Sequence, residues 1–350
     1  MIQLDENFTV PAYFPAFACK CGKCRHTCCQ GLAIRISQEE YFRMVGEKCP
    51  PDVRADLDLA LHTLGRDADP GSYAMLSPNF MGDCRLLGKD GLCRLQAACG
   101  SGAISVVCRL YPRRPQLLNR QRACGSALPV PEMSMSNACE ATLELLRDFP
   151  GANPVKLTSR RVAFQLADLP KKEENPDLLH ELQIHRMCVR IMGDETLPLA
   201  ERARRLKSFL EIVSDTDREG ERMVRAALSM PSPLMVAMLK SFAADRPDLS
   251  PAAAACRPED DFRVLSRAEG AFLGRVMAND LFLRLFPYGS RGLSPLQAEA
   301  AMILLIRMLL ILTALPGGAA SEAGIDRMVA FFRMAELTDF DAAVLRRLEY

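Results

Sequence analysis

Between Cys19 and Cys29 the chain reads Cys-Lys-Cys-Gly-Lys-Cys-Arg-His-Thr-Cys-Cys, five thiols in eleven residues. So dense a block cannot be buried as small apolar side chains, and it constrains the fold more than any other stretch. Four further cysteines, Cys84, Cys93, Cys108 and Cys139, each sit in a context that suits a ligand turn. The start, Met1-Ile-Gln-Leu-Asp-Glu, has neither the basic nor the apolar region of a secretion signal, so a cytoplasmic chain is expected. In that compartment cysteines point to metal, not to a disulfide framework. Of the fourteen cysteines, eleven fall between Cys19 and Cys124. One half is thus organised by thiols and the other by an ordinary apolar core.

The balance of 44 basic against 43 acidic residues gives a formal charge of +1. No global field favours nucleic acid or an anionic membrane, and neither is expected as a partner. Ala300–Leu315 is the one membrane-like stretch. Arg307 interrupts it and Glu299 precedes it, so it reads as a buried core helix.

Along the chain, residues 1–18 read as an extended leading segment. Leu32-Ala-Ile-Arg-Ile alternates like a short strand, and Ser37-Gln-Glu-Glu is a capping box that starts a helix through Val45. A second helix is predicted from Pro51 to Leu64. Residues 65–137 carry little periodic pattern, although Gly82-Asp-Cys84 and Gly91-Leu-Cys93 suggest a hairpin with metal-tied ends. Metal can hold such a chain, since structural zinc contributes roughly 10–16 kcal/mol in small modules. Cys139 begins a helix over 137–148. Pro150-Gly-Ala-Asn-Pro is the best linker, dividing a cysteine-rich domain, 1–149, from a helical domain, 155–350. Period predicts helices over 176–192, 198–214, 217–229, 232–244, 260–285, 293–315, 322–335 and 338–348. The expected fold class is therefore mainly α, with an irregular cysteine-rich, metal- or cluster-binding N-terminal region packed on a C-terminal all-helical domain.

Thiolates select zinc or iron–sulfur clusters, and spacing alone leaves the two even. Adjacent Cys28 and Cys29 rarely point at one metal, so one packs or they serve two sites. His26 reads as a loop residue, and His180 and His185 as polar positions on a helix face. Cys49, Cys99, Cys124, Cys188 and Cys256 lack partner spacing and read as small packed residues. In Cys108-Arg-Leu-Tyr-Pro-Arg-Arg, the guanidinium groups of Arg109, Arg113 and Arg114 can offset a negative cluster or fork a cofactor carboxylate.

Together, Phe17-Ala-Cys19, Cys24, Cys28-Cys29-Gln-Gly, Cys84-x8-Cys93, Cys108-x2-Tyr111-Pro112-Arg113 and Ser136-Asn-Ala-Cys139 resemble the flagellin lysine-N-methylase family. The block also resembles a broader group of cysteine-cluster proteins. Asn279-Asp-Leu-Phe282-Leu-Arg-Leu-Phe286-Pro287 is similar to the family's Asn…Phe…Phe-Pro patch. This chain departs from the pattern at Leu32, where the family has Trp, at Gly274-Arg275-Val276, where it has Glu-Asn-Tyr, and at the extra Cys21.

The resemblance implies methyl transfer to lysine ε-amines of flagellin, using S-adenosylmethionine and an iron–sulfur cluster. It favours a 4Fe-4S cluster over zinc. It implies a ligand set drawn from Cys19, Cys24, Cys28, Cys29, Cys84, Cys93, Cys108 and Cys139, with Tyr111 and Arg113 beside the cofactor. Unaided, the sequence shows neither a Gly-x-Gly-x-Gly loop after a strand nor the radical Cys-x3-Cys-x2-Cys order. It has Cys21-x2-Cys24-x3-Cys28 instead. The alternatives are a non-catalytic zinc or iron–sulfur module acting in structure or interaction, and a redox protein.

Overall fold

The computed structural model describes residues 3–31, 34–65, 67–120, 130–165, 173–175, 178–214, 216–261, 264–290 and 292–348. Leu32 and Cys124 lie outside these residues. The chain forms two compact units, Ala18–Pro112 and Met1–Phe17 with Arg113–Tyr350. It begins in the larger with β1 (Gln3–Pro11), leaves at Ala18 and returns at Arg113.

The smaller unit opens on the cysteine block and then forms β2 (Ile34–Ile36), α1 (Gln38–Val45), α2 (Pro51–Ala60), β3 (Leu61–Thr63) and β4 (Ala74–Leu76). The strands make an antiparallel sheet in the order β2-β4-β3. The capping box is formed: Ser37 Oγ accepts from Glu40 N at 3.2 Å, and Glu40 accepts from Ser37 N at 3.0 Å. The second carboxylate oxygen of Glu40 accepts from Val106 N at 2.7 Å, so one side chain fixes two elements. The helix expected to reach Leu64 stops at Ala60, because Leu61–Thr63 pairs with Ala74–Leu76. Cross-strand partners outweigh the helical period here.

Two short helices, α3 (Arg94–Cys99) and α4 (Val106–Leu110), complete this unit. Its own core includes Ile36, Met44, Leu57, Ala74, Leu86 and Leu95, and Cys49, Cys84, Cys93 and Cys99 pack against it. The region that lacked periodic pattern is therefore held partly by apolar burial.

Back in the larger unit come β5 (Arg113–Arg120), β6 (Val130–Met135), α5 (Glu140–Asp148), β7 (Leu157–Gln165) and β8 (Glu173–Asn175). The five strands form one sheet in the order β7-β1-β6-β5-β8, which the sequence reading did not anticipate. The leading segment is a strand, parallel to β6 and antiparallel to β7. The linker expected at 150–154 lies inside this unit: Tyr13 N donates to Pro154 O at 3.0 Å and Ala12 N to Lys156 O at 2.8 Å.

The remainder is helical, as the period predicts: α6 (Leu178–Met192), α7 (Leu199–Val213), α8 (Arg218–Ser229), α9 (Ser232–Ala243), α10 (Ser250–Ala255), α11 (Arg267–Leu283), α12 (Pro295–Ala314), α13 (Glu322–Leu337) and α14 (Phe340–Leu345). The helix expected from 260 starts only at Arg267, where Ser266 and Glu269 make a second capping box. The short α10 was not expected. Among the described residues α12 is a helix long and apolar enough to cross a membrane, yet most of it is buried within the protein. Arg307 explains its polar interruption. Its guanidinium pairs with buried Asp261 and donates to the carbonyls of Ala227 and Met230, each at 2.7 Å. The fold is thus mainly helical, with a mixed sheet in the larger unit.

Candidate functional site

The Cys21-Gly22-Lys23 turn meets the tip of the Cys84–Cys93 hairpin by close backbone contact. A Cβ on Gly22 would lie 2.3 Å from Asp90 O, and one on Gly91, which has φ +77°, would lie 2.8 Å from Gly22 Cα. Only glycine fits such an approach. Cys84 N donates to Cys29 O at 2.7 Å, and the bridges Pro78↔Cys84 and Leu87↔Cys93 shape the hairpin. At α4, Ser105 Oγ caps the backbone N–H of Cys108 at 3.2 Å.

These contacts gather thiols from three segments of the smaller unit. Burial raises the pKa of Cys84, with Cys93 and Cys28 close enough to add to the shift. Cys108 is pushed up to about 12 by crowding around its sulfur, and it feels Cys84, Cys28 and Cys93. Part of Cys108 still faces solvent, so the crowding is not full enclosure. Four soft donors, Cys28, Cys84, Cys93 and Cys108, therefore sense one another. A bound metal ion would stabilise the thiolate forms of these cysteines. Among the described residues, no group of three or more Cys, His, Asp or Glu side chains is already closed to coordination geometry. The donor chemistry fits a soft metal, while the sulfurs do not form a finished shell.

The rest of the predicted set divides. Cys19 lies beside Cys21: Cys21 N donates to Cys19 Sγ at 3.3 Å, and Cys19 and then Cys28 raise the Cys21 thiol. Cys21 also adopts φ +53°, in the left-handed region. Cys24 and Cys29 remain in this block. Cys139 belongs to the larger unit, at the N-terminal end of α5, where it influences Tyr13. One pairing escaped the sequence. The Cys99 thiol is raised by partial burial and then by adjacent Cys49, across an interval of fifty residues that no motif spacing signals.

Tyr111 ends α4 with a buried hydroxyl. Arg113 opens β5, and its guanidinium lies over the Phe17 ring, 5.2 Å from the centroid. Arg114 pairs with Glu336 at 2.8 Å and lines a cleft of about 520 Å³ in the larger unit. This cleft is also lined by Asp280, Arg284, Ser290, Asp339 and Asp341, at the end of the Asn279–Pro287 patch. Burial works against the Arg284 charge, yet Asp280 and Asp341, both at 2.8 Å, hold its pKa above the usual range.

Asn279 itself is structural. Its Oδ1 accepts from Tyr13 Oη and from Ser134 Oγ at 2.8 Å, and its Nδ2 donates to Met135 O at 2.8 Å and Asn137 Oδ1 at 2.7 Å. All four hydrogen bonds are buried, and they tie α11 to the sheet. His185 is likewise a core polar residue, with Nδ1 3.0 Å from Phe286 O and Nε2 3.3 Å from Glu132. His180 is exposed on α6.

Among curated proteins, the chain is similar to a lysine-N-methylase of Salmonella choleraesuis, 26% identical over 137 residues, 37% of this chain and 32% of that one. A lysine-N-methylase of Salmonella typhimurium is 25% identical over the same coverage. A flagellar biosynthetic protein FliU of Salmonella muenchen is 24% identical over 37% of this chain and 76% of that one. The match thus spans about a third of the length of the two methylases. No family model matches, and no solved structure matches.

Proposed function

We propose that the chain is a protein-lysine N-methyltransferase of the flagellin-methylase type, cytoplasmic, acting on flagellin or another protein before export. What supports it is the likeness to two proteins named lysine-N-methylase, in a chain whose distant cysteines converge. On this reading Cys28, Cys84, Cys93 and Cys108 would hold an iron–sulfur cluster of the 4Fe-4S type, and Cys19, Cys24 and Cys29 would buttress it or form a second site in the same unit. With three of these four cysteines as ligands, the fourth iron would supply a chelating position for S-adenosylmethionine. Tyr111 is the residue of this unit proposed to face the cofactor, and Arg113 carries a planar fork of the kind that binds a carboxylate. The acceptor amine attacks only when neutral, so desolvation or a base must remove its proton.

Full-length protein purified without oxygen, with flagellin and methyl-labelled S-adenosylmethionine, tests the reading. Label on flagellin lysines is expected, and its absence under reducing conditions sinks the proposal. A second reading, a non-catalytic zinc staple, draws on the packing of Cys84 and Cys93 against the smaller unit's core. A colourless preparation with stoichiometric zinc and no methyl transfer favours that reading.

A further inference from the structure

The larger unit contains a cavity of about 410 Å³ bounded by α7, α8 and the first turns of α12. Its size suits a small-molecule group or one long side chain. Two of its lining residues, Glu299 and Ser214, each have a buried polar atom, Glu299 Oε2 and Ser214 Oγ, that makes no hydrogen bond among the described residues. Glu299 is only 1% exposed, in the most apolar long helix of the chain. A buried carboxyl without a partner is costly, and native proteins rarely keep one without a use.

The other charges around the cavity are already engaged. On α7, Lys207 pairs with Glu211; on α8, Arg225 pairs with Glu221 at 3.6 Å. Among the lining residues one buried carboxyl, Glu299, and one buried hydroxyl, Ser214, are left without a hydrogen-bond partner among the described residues. Leu296 adds an apolar wall. What this arrangement lacks is one positive charge carrying several N–H donors on an apolar stem. A primary ammonium has three such donors and no acceptor.

We propose that this cavity binds a primary alkylammonium group, with the Glu299 carboxylate as counter-ion and the Ser214 hydroxyl as a second acceptor. The site is independent of the methyl-transfer reading, because it is drawn from a different part of the molecule and is tested without a methyl donor. Burial pushes the empty Glu299 carboxyl up to about 7, against a lowering influence from Lys207 and a further raising one from Glu211. The remaining facing group, the Cys188 thiol on α6, is pushed by burial up to about 12 and stays neutral near pH 7. The cation therefore binds the ionised carboxylate, and affinity falls as pH drops below about 7.

The test is calorimetric titration of the full chain with n-butylammonium chloride, with 1-butanol as the neutral isostere. Saturable butylammonium binding is expected at pH 8, weakened about tenfold at pH 6, in proportion to the ionised fraction of a group titrating near 7. Glu299→Gln is expected to lose at least about tenfold at pH 8 and to flatten the pH dependence. A cooperative thermal transition would show that this variant folds, and Ser214→Ala is expected to weaken binding less. No saturable binding by folded wild type at pH 8, equal binding by Glu299→Gln, or equal binding of butanol overturns the proposal.

Discussion

Asn279 spends every hydrogen-bonding group of its side chain in the interior, on four partners from the Tyr13 turn and the end of β6. Asn279→Ala removes the acceptor of Tyr13 and Ser134 and opens a void. It is expected to cost roughly 2–4 kcal/mol, read as a lower urea midpoint at unchanged slope. Glu299 acts in the opposite sense. Its folded pKa, about 7, lies above its ordinary 4.5, so the folded state holds a proton that the unfolded state releases. Stability on its account is greatest below about pH 4.5, falls as pH rises toward 7, and is level above that. Glu299→Gln removes that loss and is expected to stabilise the protein at pH 8 by on the order of 1–3 kcal/mol, with little effect at pH 4. A variant less stable than wild type at pH 8 would contradict the unpartnered carboxyl. At this scale the sequence was partly legible. Asn279 was visible through its patch, and His185 as a polar helix residue. Glu299 was visible only as a charge preceding an apolar run, because nothing in a one-dimensional pattern says which carboxyl has no partner.

Helices were the legible elements. Ser37/Glu40, Ser266/Glu269 and Ser294/Gln297 all form capping boxes; the first was read from the sequence, whereas the start marked by Ser266 was expected already at 260. Ser294→Ala is expected to cost about 1 kcal/mol in thermal or urea unfolding. Arg307 fixes α12 against its neighbours through Asp261 and two carbonyls, and Arg307→Leu leaves Asp261 buried without its partner. A loss of about 3–5 kcal/mol is expected, and a loss below 1 kcal/mol would mean that the pair carries little. Strands were poorly legible. β1, β5 and β6 come from residues 3–11, 113–120 and 130–135, and prolines at 11, 115 and 131 break the local signal. The pairing of β1 is decided by partners more than a hundred residues away, as between Thr9 and Glu132, while β5 pairs with the nearer β6 and β8.

For the whole molecule, the cysteine pattern pointed to a discontinuous thiol site; Cys28, Cys84, Cys93 and Cys108 share one unit and influence one another electrostatically, but among the described residues they do not close into a metal-holding group. It did not point to the pairing of Cys49 with Cys99, or to a unit that begins and ends inside the expected N-terminal domain. Both depend on chain reversals that spacing rules do not encode. If metal holds the smaller unit, chelation should raise amide exchange across 18–112 far more than across the helices of the larger unit. The most direct test of the proposed metal centre is the iron, sulfide and zinc content of the full chain purified without oxygen, for wild type and single Cys→Ser variants. Substitution of Cys28, Cys84, Cys93 or Cys108 is predicted to remove most of the bound metal, while Cys188→Ser and Cys256→Ser retain it. Wild type that binds no metal, or full occupancy in all four variants, would contradict the account.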